Sequence, residues 1–409
     1  MSNKKRIVAV FSGNRAEYGL QYPILRAIKE HPDLDYRLVV SGAHLDSNFG
    51  RTITEIRDDG FEIHAEVAID MTGGEKVSTA RAIGSGILSL APVLQSMNPD
   101  IFLVYADRFE GFAAVITSSQ MNIPTAHVEG GDITEGGALD DSVRHAMTKL
   151  AHLHYTTNQQ ATNRILAMGE EPWRVHTVGF PAIDLIMDGN YATPEELTQR
   201  FTLDATRPVL LFTQHSITTE FEEAALQLRP SLDALTRLAH EGVQVILTYP
   251  NNDAGGETIM QALEEYLGTA PQNIQLHKSL GRYAYHGLLA LAKLNDWRVA
   301  CVGNSSSGIK ETPVFGCPTV NIGSRQQGRL CGENVIHVNY DKDEIYSAVH
   351  RCYFDSSFRS ICALAENPYG GGNAGKLIAE SLANIDLDPK HILRKRMMLN
   401  GESKDGWFR

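Results

Sequence analysis

Short apolar runs recur along the chain, each closing on small or polar residues and each followed by a segment of helical periodicity. Arg6 to Phe11 is almost wholly apolar and ends in Ser12-Gly13-Asn14-Arg15, after which Tyr18, Ile24, Leu25 and Ile28 mark a helix. Tyr36 to Val40, Ile63 to Ile69, Ile101 to Tyr105, Ile123 to Val128, a strand ending at Thr157, and Arg174 to Val178 repeat the theme. Helices are expected over Gly50 to Asp59, Val77 to Met97, and from Ser142 onward. Continuous apolar strands alternating with amphipathic helices predict parallel sheets covered on both faces.

After a polar stretch, Met187 to Thr206, the pattern restarts. Pro208 to Phe212, Val243 to Thr248, Asn273 to Leu276, Val299 to Val302 and Thr319 to Ile322 read as strands, with helices over Glu220 to His240 and from Ile309. Asn367 to Gly375 is glycine-rich and precedes an amphipathic helix, Lys376 to Asn384. The expected organisation is therefore an α/β domain over 1–186, a second over 187–368, and a terminal piece, 369–409. In that piece a hinge lets the last helix cross back onto the first domain, and the basic tail from Lys390 stays in solvent.

Composition narrows the function. The chain has 409 residues, enough for two cores, and a net charge of -12, which disfavours non-specific nucleic-acid binding. The start passes from a basic pair directly into a strand, and the apolar runs fall short of the roughly 18 residues of a membrane helix. A cytoplasmic protein without membrane or nucleic-acid partners is the expectation. Five cysteines without Cys-x-x-Cys spacing suggest reduced packing residues rather than disulfides or zinc.

Chemistry concentrates at strand ends, where parallel sheets bind ligands. Arg15, His44, Asp107, Arg108, His127 and Glu129 all fall there, and strand alternation places His127 and Glu129 on one side. The loop Gly130 to Gly137 holds four glycines and leads to Asp140 and Asp141 at a helix start. Asp140 with Arg144, and Asp141 with His145, stand four apart on helical faces. In the second half, Gly303 to Gly308 is a serine-rich turn into a helix whose N-H groups suit a phosphate, with Glu311 one turn on for a ribose hydroxyl. The turn is not a Walker A loop, and Gly13-Asn14-Arg15 lacks the dinucleotide fingerprint. A metal site at His145, His152 and His154 is disfavoured, because the last two, read as helical, do not share a face.

These motifs, with Gln214-His215, Tyr249 to Gly255 and Gly323 to Asn334, give the chain a resemblance to the hydrolysing UDP-N-acetylglucosamine 2-epimerases of sialic-acid biosynthesis, from Arg6 to about Leu382. The resemblance implies two Rossmann-like domains facing across a cleft, a GT-B-like fold, no cofactor or metal, and a homodimer or dimer of dimers. It implies elimination of UDP to a 2-acetamidoglycal, then addition of water to give the free manno sugar. Asp107, Glu129, Asp140 and Asp141 become the carboxylates for proton transfer, base and acid unassigned, with Arg144 orienting Asp140. Arg15, His215, Ser305 and Ser306 are implied to hold the diphosphate and Glu311 the ribose, with Arg108, His44 and Arg325 as further contacts.

Asp140-Asp141 and Arg144-His145 match the hydrolysing rather than the non-hydrolysing branch. The loop Asp132 to Ala138 is longer than in the animal enzymes, which admits a UDP-2,4-diacetamido-trideoxy sugar of the legionaminic-acid branch as alternative substrate. Gln261 and Glu264 stand where the animal enzyme has arginines for feedback, so that feedback is expected to be absent or altered. A GT-B glycosyltransferase and a sugar-nucleotide sensor are the readings from other classes; the clustered carboxylates argue against the first.

Overall fold

A computed structural model describes residues 5–45, 52–70, 77–133, 139–250 and 255–399. The chain divides into two compact units, the first comprising 1–132, 139–185 and 369–409, the second 133–138 and 186–368. The division after Leu185 falls beside the polar stretch, and the terminal piece belongs with the first unit.

The first unit holds β1 (Arg6–Ser12), β2 (Leu34–Ser41), β3 (Ile63–Val67), β4 (Ile101–Tyr105), β5 (Thr125–Val128), β6 (Leu153–Thr156) and β7 (Val175–Thr177). They form a seven-stranded sheet in the order β3-β2-β1-β4-β5-β6-β7, every neighbouring pair parallel. The second unit holds β8 (Val209–Thr213), β9 (Gln244–Thr248), β10 (Ile274–His277), β11 (Val299–Gly303), β12 (Thr319–Ile322) and β13 (Val335–Val338). Its six-stranded parallel sheet runs β10-β9-β8-β11-β12-β13. Both are doubly wound, Rossmann-like sheets, and in each the strand order reverses once, between β1 and β4 and between β8 and β11. Those reversals are where such sheets open a crevice for a ligand.

Several boundaries moved for identifiable reasons. Strand β5 begins at Thr125 because Pro124 has no N-H to give, although its carbonyl still accepts from Phe102 N-H at 2.8 Å. The helix expected from Ser142 is Leu139–Leu150, so Asp140 and Asp141 lie inside its first turn. The helix expected over Glu220 to His240 is split into a 3-10 segment, Thr218–Glu223, and an α-helix, Ala224–His240. Strand β13 was not foreseen: its four residues follow a long polar loop and alternate too briefly to stand out. The helix Val77–Met97 corrects the expectation about apolar runs, being long and apolar enough to cross a membrane by length and composition. Its Leu90 and Leu94 are buried with Phe11, Phe102 and Val104 in the core of the first unit.

The terminal piece also differs from expectation. The glycine-rich connection is pinned rather than loose: Phe180 N-H donates to the Tyr369 carbonyl at 2.7 Å, and a Cβ on Gly370 would stand 3.1 Å from the Gly179 Cα. Asp184 then accepts from the N-H groups of Ala374 and Gly375 at 3.0 and 2.8 Å, holding the first turn of helix Ala374–Asn384. The basic tail is not simply solvated. Lys395 Nζ donates to the carbonyls of Thr148, Lys149 and Ala151 at 3.3, 2.8 and 2.6 Å, capping the helix Leu139–Leu150 at its negative end. Arg174, fully buried, donates to the carbonyls of His152, Ile392, His391 and Arg394 and to Glu171.

Arg174→Met should therefore leave several buried carbonyls unpaired. A loss of about 3–5 kcal/mol from the unfolding transition of the first unit is expected, measured as a lowered urea midpoint.

Candidate active site

In the first unit, the site is built where β4 and β5 end side by side. Tyr105 pairs in register with Val128, so the next residues of both strands emerge together. The chain turns sharply at each exit: Ala106 has φ 56° and Glu129 φ 64°, left-handed backbone that non-glycine residues avoid. Each such residue costs about 1 kcal/mol or more, offset here by cross-strand bonds from Ala106 N-H to the Val128 carbonyl, 3.0 Å, and from Glu129 N-H to the Tyr155 carbonyl, 2.9 Å. The turns bring Asp107 and Glu129, 8% exposed, onto the same end of the sheet.

Helix Leu139–Leu150 supplies the cation between them. Arg144, 4% exposed, pairs through Nη2 with Asp107 and through Nη1 with Asp141 at 3.3 Å. Burial acts to lower the guanidinium pKa, but the charges of Asp107, Glu129, Asp132 and Asp141 outweigh it, and the shift is upward. The expected Asp140 to Arg144 stacking is thus corrected in detail, since Arg144 reaches back three residues to Asp141 and across to Asp107, while the charge of Asp141 does act on His145 as the spacing suggested. Asp140 is solvent-exposed in the first turn, where its charge acts on Arg108. Asp132, 6% exposed, is fixed by the Thr157 hydroxyl at 3.1 Å and Asn158 Nδ2 at 2.9 Å.

Other predicted residues of this unit are placed less directly. Arg15 opens the helix Arg15–Glu30, and its side chain lies outside the described residues. Arg108 is half-exposed, its Nε 3.8 Å from Glu110 Oε2. His44 is fully buried, with Nε2 3.0 Å from the Ser12 hydroxyl and Nδ1 2.8 Å from the Thr52 hydroxyl. That leaves no ring nitrogen for a substrate, so His44 braces the β1 exit instead. His127 does not share a site with Glu129. It is inside β5, donating from Nε2 to the Ala106 carbonyl at 2.6 Å, while Glu129 lies past the strand, where alternation no longer holds. His152 and His154, expected on a helix, straddle the start of β6. Thr125 N-H donates to His152 Nδ1 at 3.1 Å, and His154 pairs with Glu170 at 3.1 Å.

Two carboxylates escaped the sequence reading. Glu17 and Glu110 are 5% and 1% exposed, and burial pushes both upward, for Glu17 aided by the charge of Glu110. Neither Glu110 oxygen has a hydrogen-bond partner among the described residues. Glu17 was hidden by its position three residues after Asn14, where it reads as a helix-cap partner; Asn14 does cap, accepting from Glu17 N-H at 3.0 Å.

In the second unit the switch point between β8 and β11 gathers the remaining candidates. Gly303 closes β11 with φ 129°, and a Cβ there would lie 1.9 Å from the Thr213 carbonyl oxygen, so only glycine permits this turn. Asn304 then clamps His215, accepting from its N-H at 2.6 Å and donating to its carbonyl at 2.8 Å. Arg325 Nη1 and Gln326 Nε2 donate to the Asn304 carbonyl at 3.2 and 2.8 Å. His215, Arg325 and the half-buried Ser305 and Ser306 are thereby gathered around one residue that sequence reasoning did not single out. His215, 7% exposed, is pushed down to about 3 by burial and by Arg325, so it is a neutral imidazole. The helix after the serines spans only Ser307–Lys310, too short for a sizeable dipole, and an anion here would rely on hydroxyls and Arg325. Glu311 accepts on Oε2 from the Ser307 hydroxyl at 2.9 Å and from His286 Nε2 at 3.0 Å. Burial opposes its ionisation, but these partners hold its pKa below the usual carboxylate value.

Comparison with known proteins agrees with this geometry. A family model described as UDP-N-acetylglucosamine 2-epimerase matches residues 26–383. The chain is 31% identical to the UDP-N,N'-diacetylbacillosamine 2-epimerase (hydrolyzing) of Legionella pneumophila, over 95% of this chain and 98% of that one. It is 30% identical to a UDP-N-acetylglucosamine 2-epimerase of Neisseria meningitidis, over 94% and 96%. Among solved structures, a UDP-GlcNAc 2-epimerase from Neisseria meningitidis bound to UDP-GlcNAc shares the fold with TM-score 0.76 at 19% identity, covering 92% of this chain and 99% of that one.

The buried histidines give a pH dependence. Burial lowers His44 and His152 to about 4 and His127 and His215 to about 3, against an ordinary value of 6.5. The unfolded chain binds these protons first, so this stability is fully present above about pH 6.5 and is lost as pH falls toward 4 and 3. The unfolding temperature should drop steadily from pH 7 to pH 5 in differential scanning calorimetry.

Proposed function

Since the chain belongs to the UDP-N-acetylglucosamine 2-epimerase family, and is a UDP-sugar 2-epimerase akin to its hydrolysing members, we propose that it converts UDP-N-acetylglucosamine and water to N-acetylmannosamine and UDP. The observation that carries this reading is the buried Arg144 bound to both Asp107 and Asp141 next to Glu129. The C2 proton of the sugar is not beside a carbonyl, so its removal needs a positioned carboxylate while the C1-oxygen bond to UDP breaks. The pair of electrons from C2-H becomes the C1-C2 double bond of a 2-acetamidoglycal. Water then adds its oxygen to C1, giving up a proton to a carboxylate, while a second carboxylic acid protonates C2 from the opposite face.

In this scheme Asp107, Glu129, Asp140 and Asp141 share proton transfer and hydroxyl binding, and Arg144 holds Asp107 and Asp141 in place. Arg325, Ser305 and Ser306 bind the departing diphosphate with Arg15 and Arg108, the neutral His215 donates a single hydrogen bond, and Glu311 takes the ribose. We further propose a cytoplasmic homodimer or dimer of dimers, serving nonulosonic-acid synthesis.

A second substrate is favoured by the Legionella relative. The same chemistry on UDP-2,4-diacetamido-2,4,6-trideoxyglucose would place the protein in legionaminic-acid synthesis. Proton NMR in deuterated water with each sugar nucleotide in parallel tubes tests both. Free N-acetylmannosamine deuterated at C2, appearing with UDP, is the expected outcome; turnover of the diacetamido sugar alone would move the protein to the second branch, and silence with both would refute the reading.

Arg144→Lys retains a charge but loses the fork that spans two carboxylates. We expect kcat to fall about 100-fold in a UDP-release assay, with UDP binding measured by calorimetry unchanged.

A further inference from the structure

One polar group at the β4 exit has no task in the scheme above: the phenol of Tyr105. Tyr105 is the last residue of β4, two before Asp107, and its register partner Val128 directly precedes Glu129. The side chain is 1% exposed, and its hydroxyl makes no well-formed hydrogen bond among the described residues, although the Glu129 carboxylate lies close enough to act on it as an acceptor. A buried hydroxyl left in that condition costs about 1–3 kcal/mol, which phenylalanine at the same place would avoid.

The groups facing it are acidic and come from separate elements. Glu129 acts on it most strongly after burial itself, followed by Asp132 from the segment after β5 and Glu17 from helix Arg15–Glu30. Arg144 on helix Leu139–Leu150 adds its charge to Glu129 and Asp132, and Asp107 binds that arginine. Burial and these carboxylates push the phenol well above its ordinary pKa, so at neutral pH it remains a hydrogen-bond donor. A permanent donor beside a carboxylate at a strained strand exit has one evident use.

We propose that Tyr105 is a positioning residue for Glu129, its hydroxyl donating to the carboxylate during turnover and holding it in one rotamer. The proposal rests on the epimerase reading, because it acts through Glu129. A donor to a carboxylate favours the charged form, so removing it shifts ionisation of that carboxylate to higher pH. The sign is the same whether Glu129 serves as base or acid: the limb of the pH-rate profile that it controls moves upward.

The test is Tyr105→Phe in the full chain, with kcat, KM and the pH-rate profile measured on the sugar nucleotide that the wild type turns over, alongside the unfolding temperature and UDP affinity. Expected are a tenfold to hundredfold fall in kcat, about the strength of a hydrogen bond to a charged group, KM within about twofold, and one limb displaced upward. The unfolding temperature should hold, since the hydroxyl lost makes no well-formed hydrogen bond among the described residues of the resting protein. A profile that coincides with wild type overturns the proposal. So does a fall in kcat with an unmoved profile and a lowered unfolding temperature, which would mark Tyr105 as structural. A wild type that turns over neither sugar would instead overturn the reaction on which the proposal stands.

Discussion

The buried guanidinium of Arg144 is the constraint from which the rest of the first unit's site follows. Two carboxylates from different elements, Asp107 after β4 and Asp141 on helix Leu139–Leu150, meet on it. Taking such a triad out of water is expensive, and its net contribution to stability is small or negative. What it supplies is geometry. With its fork filled by two acids, the arginine fixes the distance between the strand end and the helix, and Glu129 is presented beside a charge that cannot be neutralised. The left-handed backbone at Ala106 and Glu129 belongs to the same arrangement: without those turns neither carboxylate would face the helix.

Much of this was legible in the sequence, and the reason is specific to parallel sheets. Their strands are buried on both faces, so Ile101 to Tyr105 or Val299 to Val302 stand out as apolar runs, and whatever polar residue follows must lie at the ligand-binding edge. That logic placed Asp107, Glu129 and the Gly303 to Gly308 turn at strand ends from local pattern, whereas His215 entered as a candidate only with the family resemblance. It failed where direction depends on backbone beyond the pattern. Alternation joined His127 to Glu129, but the positive φ at Glu129 ends the strand geometry between them. Helical spacing joined Asp140 to Arg144, but the arginine's length lets it reach a residue on another element. His44 looked like a strand-end contact because its partners, Ser12 and Thr52, are distant in sequence.

The second unit solves a different problem, and its solution was less visible. The helix after Gly303 to Gly308 is only one turn long, so this end of the sheet is organised by a polar frame instead of a dipole. Asn304 builds that frame by holding the His215 backbone at both its N-H and its carbonyl while its own carbonyl collects Arg325 and Gln326. An asparagine between a glycine and a serine reads as turn chemistry in a sequence. Only the fold reveals that its amide joins the ends of β8 and β11.

The helix carrying Asp140, Asp141 and Arg144 bears like charges crowded in its first turn, and something must hold it there. Part of the answer is the interaction of acids with the positive end of the helix. The remainder lies at the other end, where Lys395 closes three carbonyls and pairs with Glu170 at 2.8 Å. Glu170 is itself buried, which alone would raise its pKa, yet the His154 hydrogen bond and the ammonium groups of Lys395 and Lys149 hold it down to about 2. An anion so strongly fixed makes the tail more than a loose end: it anchors the strap that ends the chain to the helix that begins the site. The same segment is threaded past Arg174, so the stability of residues 391–396 and the placement of Arg144 are set by one network within the first unit. A reading of the tail as solvated charge missed this because capping carbonyls are invisible in sequence, whereas charges are not.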